Sequence, residues 1–411
     1  MNNDGFNLGT LPYKKWIDYK KTQGRSIFVL RNIKKRKCFL MTEFCNSEIT
    51  SIFDKIPIVK NLARKKFIVL FVLAMIKTRK VQFCEVAQEL NDKVKASSNE
   101  TRIQDFFRNA ELDYVQVALL LAMFLPKRGK LTLCMDRTEW DFGKCQVNIL
   151  MMVVRCRDVT IPLYWEMLDN NSGNSNTDDR IGLLGKCMGV LGVKRIGLFL
   201  GDREFIGHRW LKFLKDKGIL FCVRVPKHHK VTRDWHMDFR EERIEEILAS
   251  RKTVRIGGCM VDGIWGSVHA KKLKDDILFL FGTAKAEYLA QLYQKRWRIE
   301  TFFQNVKKRG FDLESTHLKS FEKLKKLMAM VSIAYAFAEN MGLHHHRKVE
   351  PIPMKNHGYK KNSFARKGID IIREGIRKDW KKCIELFYDF VLKFLRWLQI
   401  NPNKFNIPQF L

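Results

Sequence analysis

Long hydrophobic runs are absent from the sequence. The longest apolar segment, residues 67–76 (FIVLFVLAMI), has ten residues, about half of the roughly 20 that a membrane-spanning helix requires. Residues 1–30 lack the charged, apolar and small-residue order of a secretory signal. We therefore expect residues 67–76 to form a core helix, and we expect a cytoplasmic protein with no membrane partner.

Paired cysteines are also absent. The ten cysteines include no C-x2-C pair and most stand beside apolar residues, which indicates reduced, buried thiols. The consecutive residues His344, His345 and His346 would point in different directions on a helix and make a poor chelating set. We interpret these histidines as a surface tract.

Acidic residues are scarce relative to basic ones. The 411 residues include 76 Lys and Arg but only 44 Asp and Glu, which gives a net charge of +32. Such an excess repels itself in the folded state, so it is better explained by a polyanionic partner than by stability. Nucleic acid is the leading candidate and an anionic membrane surface the weaker one. A hydrophobic content of 46% fits a globular chain of two or three domains.

The first 46 residues form a basic N-terminal arm. Two basic clusters, residues 14–21 and 31–37, are interleaved with aromatic residues. Cations with aromatic residues suit contacts with phosphates and bases, but a flexible, solvated arm has the same composition. Both interpretations of this arm stay open.

A helical pattern follows over residues 47–128. Residues 81–90 and 100–108 have helical apolar spacing, and Ser97 or Ser98 is placed to cap the second helix. This order is compatible with a helix-turn-helix unit in a DNA major groove. A plain helical bundle is an equal alternative.

The apolar period then changes to that of β-strands. Short apolar runs predict three strands in an antiparallel meander, followed by alternating helices and strands. The expected elements are strands at 131–135, 147–155 and 159–164, a helix at 180–191, a strand at 196–200, a helix at 210–217 and a strand at 219–225. The order βββαβαβ is that of a ribonuclease H-like fold, so the fold class is α/β.

Two aspartates stand at the ends of predicted strands. Asp136 ends the first strand and Asp202 follows the fourth. These strands are neighbours in a ribonuclease H-like sheet, so the two carboxylates would converge at one edge. Taken alone, each aspartate is more often a turn residue than a ligand.

Residues 293–307 (YQKRWRIETFFQNVK) hold a carboxylate within a basic stretch. Tyr293, Arg296, Glu300 and Lys307 are separated by three, four and seven residues, which predicts one polar stripe on a single helix. A parallel stripe, formed by Leu292, Ile299, Phe303 and Val306, would pack against the core. The alternative is an amphipathic helix with charge pairs on a solvated face.

The spacing Y-x2-R-x3-E-x6-K resembles the YREK signature of bacterial insertion-sequence transposases with a DDE active site. Four further segments are similar to this family: DRTEW at 136–140, Gly173-Asn174-Ser175, GDREF at 201–205 and FDLESTHL at 311–318. The resemblance covers roughly residues 131–318. It implies a ribonuclease H-like catalytic domain at 129–225 and 284–320, interrupted by a β-rich insertion at 226–283.

Outside the segments of the resemblance, helical patterns predict a DNA-binding domain at residues 47–128 and a helical C-terminal region at residues 321–411. Residues 324–341 read as an apolar helix and residues 344–367 as a basic loop. A final helix carries an apolar seam from Ile372 to Leu398. This seam could pack on its own domain or pair with another subunit.

The resemblance also implies a reaction. Asp136, Asp202 and Glu300 would hold two Mg²⁺ ions, with Mn²⁺ as a substitute, because both ions accept oxygen-only ligands. The enzyme would hydrolyse double-stranded DNA at the transposon ends and join the 3′ hydroxyls to target DNA.

The other residues of the signature would bind the DNA. Arg296 and Lys307 would hold backbone phosphates, and Tyr293 would donate one more hydrogen bond. Trp297 could stack on a base drawn out of the duplex, or it could fill the core.

A homodimer in the DNA complex, in a bacterial or archaeal nucleoid, is expected. Two alternatives remain. One is a catalytically silent, transposase-derived DNA-binding protein. The other is a ribonuclease H-like nuclease that only hydrolyses.

Overall fold

A computed structural model describes most of the chain. The described residues are 58–142, 145–168, 173–235, 238–304, 306, 310–356 and 358–377. The predicted N-terminal arm, residues 47–57, Lys307 and the seam beyond residue 377 lie outside these ranges.

Within residues 58–130, the described part before the sheet, there are four helices: α1 (Leu62–Thr78), α2 (Phe83–Leu90), α3 (Ala96–Asn109) and α4 (Tyr114–Met123). Asn61 Oδ1 caps α1 by accepting a hydrogen bond from the Ala63 amide at 2.7 Å. The apolar residues 67–76 lie within α1 and most are buried, which confirms the core helix. None of the described helices is long and apolar enough to cross a membrane.

The turn between α2 and α3 is held by a buried asparagine. Asn99 Nδ2 donates to the backbone oxygens of Ala87 and Asn91 at 3.0 and 2.9 Å. Helix α3 therefore begins at Ala96, which places both serines inside its first turn, and its N-cap residue makes no side-chain hydrogen bond. The predicted serine cap is wrong because this tertiary contact sets the helix start.

A ten-stranded mixed sheet follows. Its strands are β1 (Leu131–Phe142), β2 (Cys145–Cys156), β3 (Val159–Met167), β4 (Ile196–Gly201), β5 (Leu220–Arg224), β6 (Lys230–Trp235), β7 (Asp238–Arg243), β8 (Thr253–Val261), β9 (Ile264–Lys272) and β10 (Ile277–Gly282). Their order is β3-β2-β1-β4-β5-β10-β9-β8-β6-β7. The pairs β1–β4 and β4–β5 are parallel, and the predicted meander β1–β2–β3 is antiparallel.

Strand β1 continues past Asp136, so the prediction that it ends there is wrong. The pairing of β1 with β4 stops at Cys134, opposite Leu200, whereas the pairing with β2 continues to Phe142. The apolar run at residues 131–135 ends close to the point where β1 loses β4 as a neighbour. Strand β1 itself is longer because its hydrogen bonds to β2 continue without β4.

Strands β6 to β9 extend the same sheet. Strand β10 pairs with β5, with Leu280 opposite Arg224, and β9 follows on the other side of β10. Strands β6 and β7 were missed from sequence because they are highly charged (KVTRDW and DFREER). Strand β8 runs continuously across a bulge between Ile256 and Cys259.

In the described part of the chain, seven α-helices accompany the sheet: α5 (Thr177–Leu191), α6 (His208–Asp216), α7 (Ile244–Ile247), α8 (Ala286–Gln294), α9 (Trp297–Gln304), α10 (Phe321–Lys348) and α11 (Phe364–Arg377). Helix α10 is buried along most of its length and packs on β3, α1 and α11. Residues 344–348 and 364–367 are helical, so the predicted basic loop is wrong at both of its ends. A methyl group at Gly342 would overlap the Phe364 carbonyl, so this glycine permits the close crossing of α10 and α11.

Candidate active site

Parallel pairing brings Asp136 and Asp202 to adjacent chain segments. Cys134 on β1 lies opposite Leu200 on β4, and each aspartate follows its paired residue by two positions. Side chains two residues apart on a strand point to the same face. The predicted meeting of the two aspartates therefore follows from the register, and Asp136 keeps 21% of its side chain exposed.

Tyr293 lies in α8, Glu300 lies in α9 and Arg296 lies in the turn between the two helices. Helix α8 ends at Gln294 and α9 begins at Trp297, so the prediction of one continuous helix is wrong at residues 295–296. The amides of Lys295 and Arg296 donate to the carbonyls three residues earlier, at 3.1 and 2.8 Å. Arg155 of β2 also donates to the Lys295 carbonyl at 3.5 Å. Contacts with the sheet thus form a tight turn that local propensity does not encode.

Arg296 connects the acidic groups. Its Nη1 donates to Asp136 Oδ2 at 3.2 Å and its Nη2 donates to Glu300 Oε1 at 2.6 Å. The guanidinium lies over the Tyr293 ring, 5.3 Å from the ring centroid, and the Tyr293 hydroxyl donates to Asp202 Oδ1 at 3.2 Å. One series of contacts therefore joins Asp202, Tyr293, Arg296, Asp136 and Glu300.

Burial controls the electrostatics of this series. It raises the pKa of the Asp136 carboxyl to about 6, although Arg296 and the Arg137 amide at 2.9 Å both act to lower it. Burial also raises the pKa of the Tyr293 hydroxyl above its ordinary value. For Arg296, burial opposes the charge, but the neighbouring tyrosine and carboxylates outweigh it and raise the pKa of the guanidinium. The surroundings therefore disfavour the charged form of Asp136, and the Arg296 guanidinium partly offsets this effect.

The acidic groups fit a divalent cation by their chemistry. Asp136, Asp202 and Glu300 offer only oxygen donors, which Mg²⁺ and Mn²⁺ prefer. Within the described residues, no three His, Cys, Asp or Glu side chains form a group that could hold a metal ion. Asp136 and Asp202 are the neighbouring pair, whereas Arg296 bridges Glu300 to Asp136.

A further acidic residue beside the site, Glu204, was missed from sequence. Glu204 Oε1 accepts hydrogen bonds from the amide and hydroxyl of Ser175 at 2.7 and 2.6 Å, and its Oε2 accepts one from Arg137 Nε at 3.1 Å. All three residues lie in segments that carried the family resemblance. The signal was present in DRTEW, the GNS loop and GDREF, but only the aspartates of these segments were interpreted.

Trp297 lies at the surface beside the site. Its side chain is 57% exposed, so the alternative that it fills the core is wrong. Its ring centroid is 5.8 Å from that of Tyr359, which is 59% exposed. Lys307, the last residue of the signature, lies outside the described residues.

The chain was compared with family models, curated proteins and solved structures. Among curated proteins, none matches the chain. A cryo-EM structure of a piggyBac transposase synaptic complex with hairpin DNA is similar, with a TM-score of 0.42 and 13% identity over 86% of this chain and 77% of that chain. A similarity of this size carries no argument. Residues 172–337 match the family model of the transposase DDE domain, and this segment contains Asp202, Tyr293, Arg296 and Glu300 but not Asp136.

Proposed function

We propose that this protein is a DDE DNA transposase of the insertion-sequence type that carries the YREK signature. It binds the ends of its element, cleaves them by metal-dependent hydrolysis and joins the 3′ hydroxyls to target DNA. The observation that carries the proposal is the series of contacts from Asp202 through Tyr293 and Arg296 to Asp136 and Glu300. Most of this series lies in the segment that matches the transposase DDE domain.

Asp136, Asp202 and Glu300 are proposed as the ligands of two Mg²⁺ ions. Bound there, the ions would neutralise the carboxylates and the scissile phosphate. Arg296 already donates hydrogen bonds to two of these carboxylates, Asp136 and Glu300. Its guanidinium presents paired donors that suit a phosphate as well as a carboxylate.

The remaining signature residues are proposed to bind the DNA around the cut. The Tyr293 hydroxyl, now donating to Asp202, can donate to a backbone phosphate instead. Lys307 is assigned a second phosphate on the basis of its spacing in the sequence. Trp297 presents an exposed ring on which an unpaired base can stack.

We further propose a ribonuclease H-like catalytic domain, formed by residues 129–225 and 284–320, with residues 226–283 as its insertion. The strand order β3-β2-β1-β4-β5, with β1 parallel to β4, supports this assignment. The net charge of +32 supports double-stranded DNA as the partner. A homodimer in the DNA complex would place one site at each transposon end.

The test uses the full chain and the DNA that flanks its coding region. With Mg²⁺, we expect nicks that leave 3′ hydroxyls at the tips of inverted repeats, followed by products joined to a target plasmid. End binding without nicks would indicate a silent DNA-binding protein. Nicks without joined products would indicate a nuclease, and either result would contradict the proposed function.

A further inference from the structure

We propose that Glu204 is a positioning residue that holds the segments of Asp136 and Asp202 together and thereby tunes metal affinity. The inference deepens the proposed function, on which it rests for the role of the two aspartates. Glu204 acts through its neighbours and is not itself assigned as a metal ligand.

The location of Glu204 gives it this role. It lies two residues after Asp202, in the turn that follows β4, and its partner Arg137 directly follows Asp136 on β1. The pairing of β1 with β4 ends at Cys134 and Leu200. Beyond that point, the Arg137–Glu204 ion pair cross-links the two segments that carry the aspartates.

The ion pair is shielded from solvent. The side chains of Arg137 and Glu204 are 16% and 12% exposed. A charged hydrogen bond in such surroundings resists competition from water and holds its geometry better than a surface pair. Arg137 is also oriented by Asn148, whose Oδ1 accepts from Arg137 Nη1 at 3.2 Å and whose own side chain is buried.

The other oxygen of Glu204 secures the loop before α5. Ser175 donates its amide and hydroxyl hydrogens to Oε1. Arg180, which is 6% exposed, donates from Nε to the Ser175 hydroxyl at 3.0 Å and stacks its guanidinium 5.4 Å from the centroid of the Phe205 ring. The loop is thereby tied back to the turn that contains Glu204.

These contacts favour positioning over ligation. Both carboxylate oxygens of Glu204 already accept hydrogen bonds from Ser175 and Arg137. Neighbouring residues along β1 point to opposite faces, so the Arg137 side chain leaves the face that presents the Asp136 carboxylate. Besides the direct repulsion between the two carboxylates, Glu204 therefore acts on Asp136 through the backbone of β1, in the way that outer-shell partners orient metal ligands.

The test measures Mn²⁺ binding to the full chain by calorimetry, together with the Mn²⁺ concentration that half-saturates DNA nicking. For Glu204→Gln we expect a metal dissociation constant raised about 10- to 100-fold, the range for outer-shell partners. The maximal nicking rate should fall less than the metal affinity. Arg137→Lys keeps the charge but loses the paired donors of the guanidinium, so the metal dissociation constant should rise less than in Glu204→Gln.

Glu166→Gln is the matched control. Glu166 is a partly buried carboxylate with two cationic partners, Lys186 and Lys325, at the end of β3. Its substitution should lower the melting temperature but leave the dissociation constant for Mn²⁺ unchanged. A purely structural role for Glu204 would give this same result.

Three outcomes overturn the inference. One is an unchanged Mn²⁺ affinity in folded Glu204→Gln, or in Arg137→Lys should the first variant not fold. A second is loss of binding as complete as in Asp136→Asn, which would make Glu204 a ligand. The third is that the wild-type protein shows no Mn²⁺ binding that is lost in Asp136→Asn. If that binding is present but DNA is not nicked, only the proposed function is contradicted, and Glu204 keeps its positioning role.

Discussion

The two halves of the sheet, strands β1 to β5 and strands β6 to β9, differ in how far their faces are buried. Strands β1 to β5 are buried on both faces over most of their length, as β3 shows with seven consecutive buried residues. Strands β6 to β9 have more exposed positions, no described side chain of β7 is fully buried, and Phe239 and Trp265 are 57% and 42% exposed. Charged residues are therefore less common in the first half than in the second. Asp136 and Asp202 stand out for that reason.

The largest expected effect is catalytic and confined to the first half. Asp136→Asn removes a charge that the proposed metals require, worth several kcal/mol, so nicking should fall about 10³-fold. Glu241→Gln on β7, whose partner Lys230 is exposed, is the control and should keep the wild-type rate. Both are measured as initial nicking rates with Mg²⁺. Robust nicking by Asp136→Asn would remove this residue from the site.

The next effect concerns packing. Phe199 on β4 is fully buried and its ring contacts Phe205 and Trp210. Phe199→Ala should therefore reduce the free energy of unfolding by about 3–5 kcal/mol. Trp265→Ala, a larger truncation on exposed β9, should cost less than about 1 kcal/mol. Equal losses in denaturant unfolding would show that the two halves are packed alike.

The junction of the two halves is sensitive to a single methyl group. Gly282 on β10 lies where a Cβ would overlap the Phe221 carbonyl of β5 and approach Leu289 of α8 to 2.8 Å. Gly282→Ala should destabilise the protein by about 1–3 kcal/mol, the usual range for overpacking. Hydrogen exchange is expected to increase in β10 and β5 before it increases in β8. Unaltered exchange in β10 and β5 would mean that the junction can relax.

The smallest expected effect is in the second half of the sheet. Lys230 and Glu241 form an ion pair with side chains 54% and 56% exposed, and exposed pairs contribute about 0.2–1 kcal/mol. A double-mutant cycle with alanine should give a coupling energy at the low end of this range that falls further at high salt. The same cycle on Arg137 and Glu204 should give a larger value, because that pair is shielded. A reversed order would contradict the difference between the halves.

Sequence patterns located the inner strands and missed β6 and β7 among the outer ones for one physical reason. Apolar runs such as residues 196–200 mark strands that are covered on both faces. The charged strands β6 and β7 are paired by backbone hydrogen bonds, with Thr232 opposite Glu241, which leave no hydrophobic signature. The turn at residues 295–296 was missed because its cause is contact with the sheet, not local composition.

By itself, the sequence determined the charge excess, the two aspartates that follow apolar runs, and the spacing of Tyr293, Arg296 and Glu300. Only the tertiary structure decided how these groups meet. Arg296 reaches Asp136 across 160 residues of chain, and Glu204 reaches Arg137 across 67. Such contacts depend on which strands pair and in what register. The hydrogen bonds that set a register join segments far apart in the sequence, and the local sequence of one segment does not specify its partner.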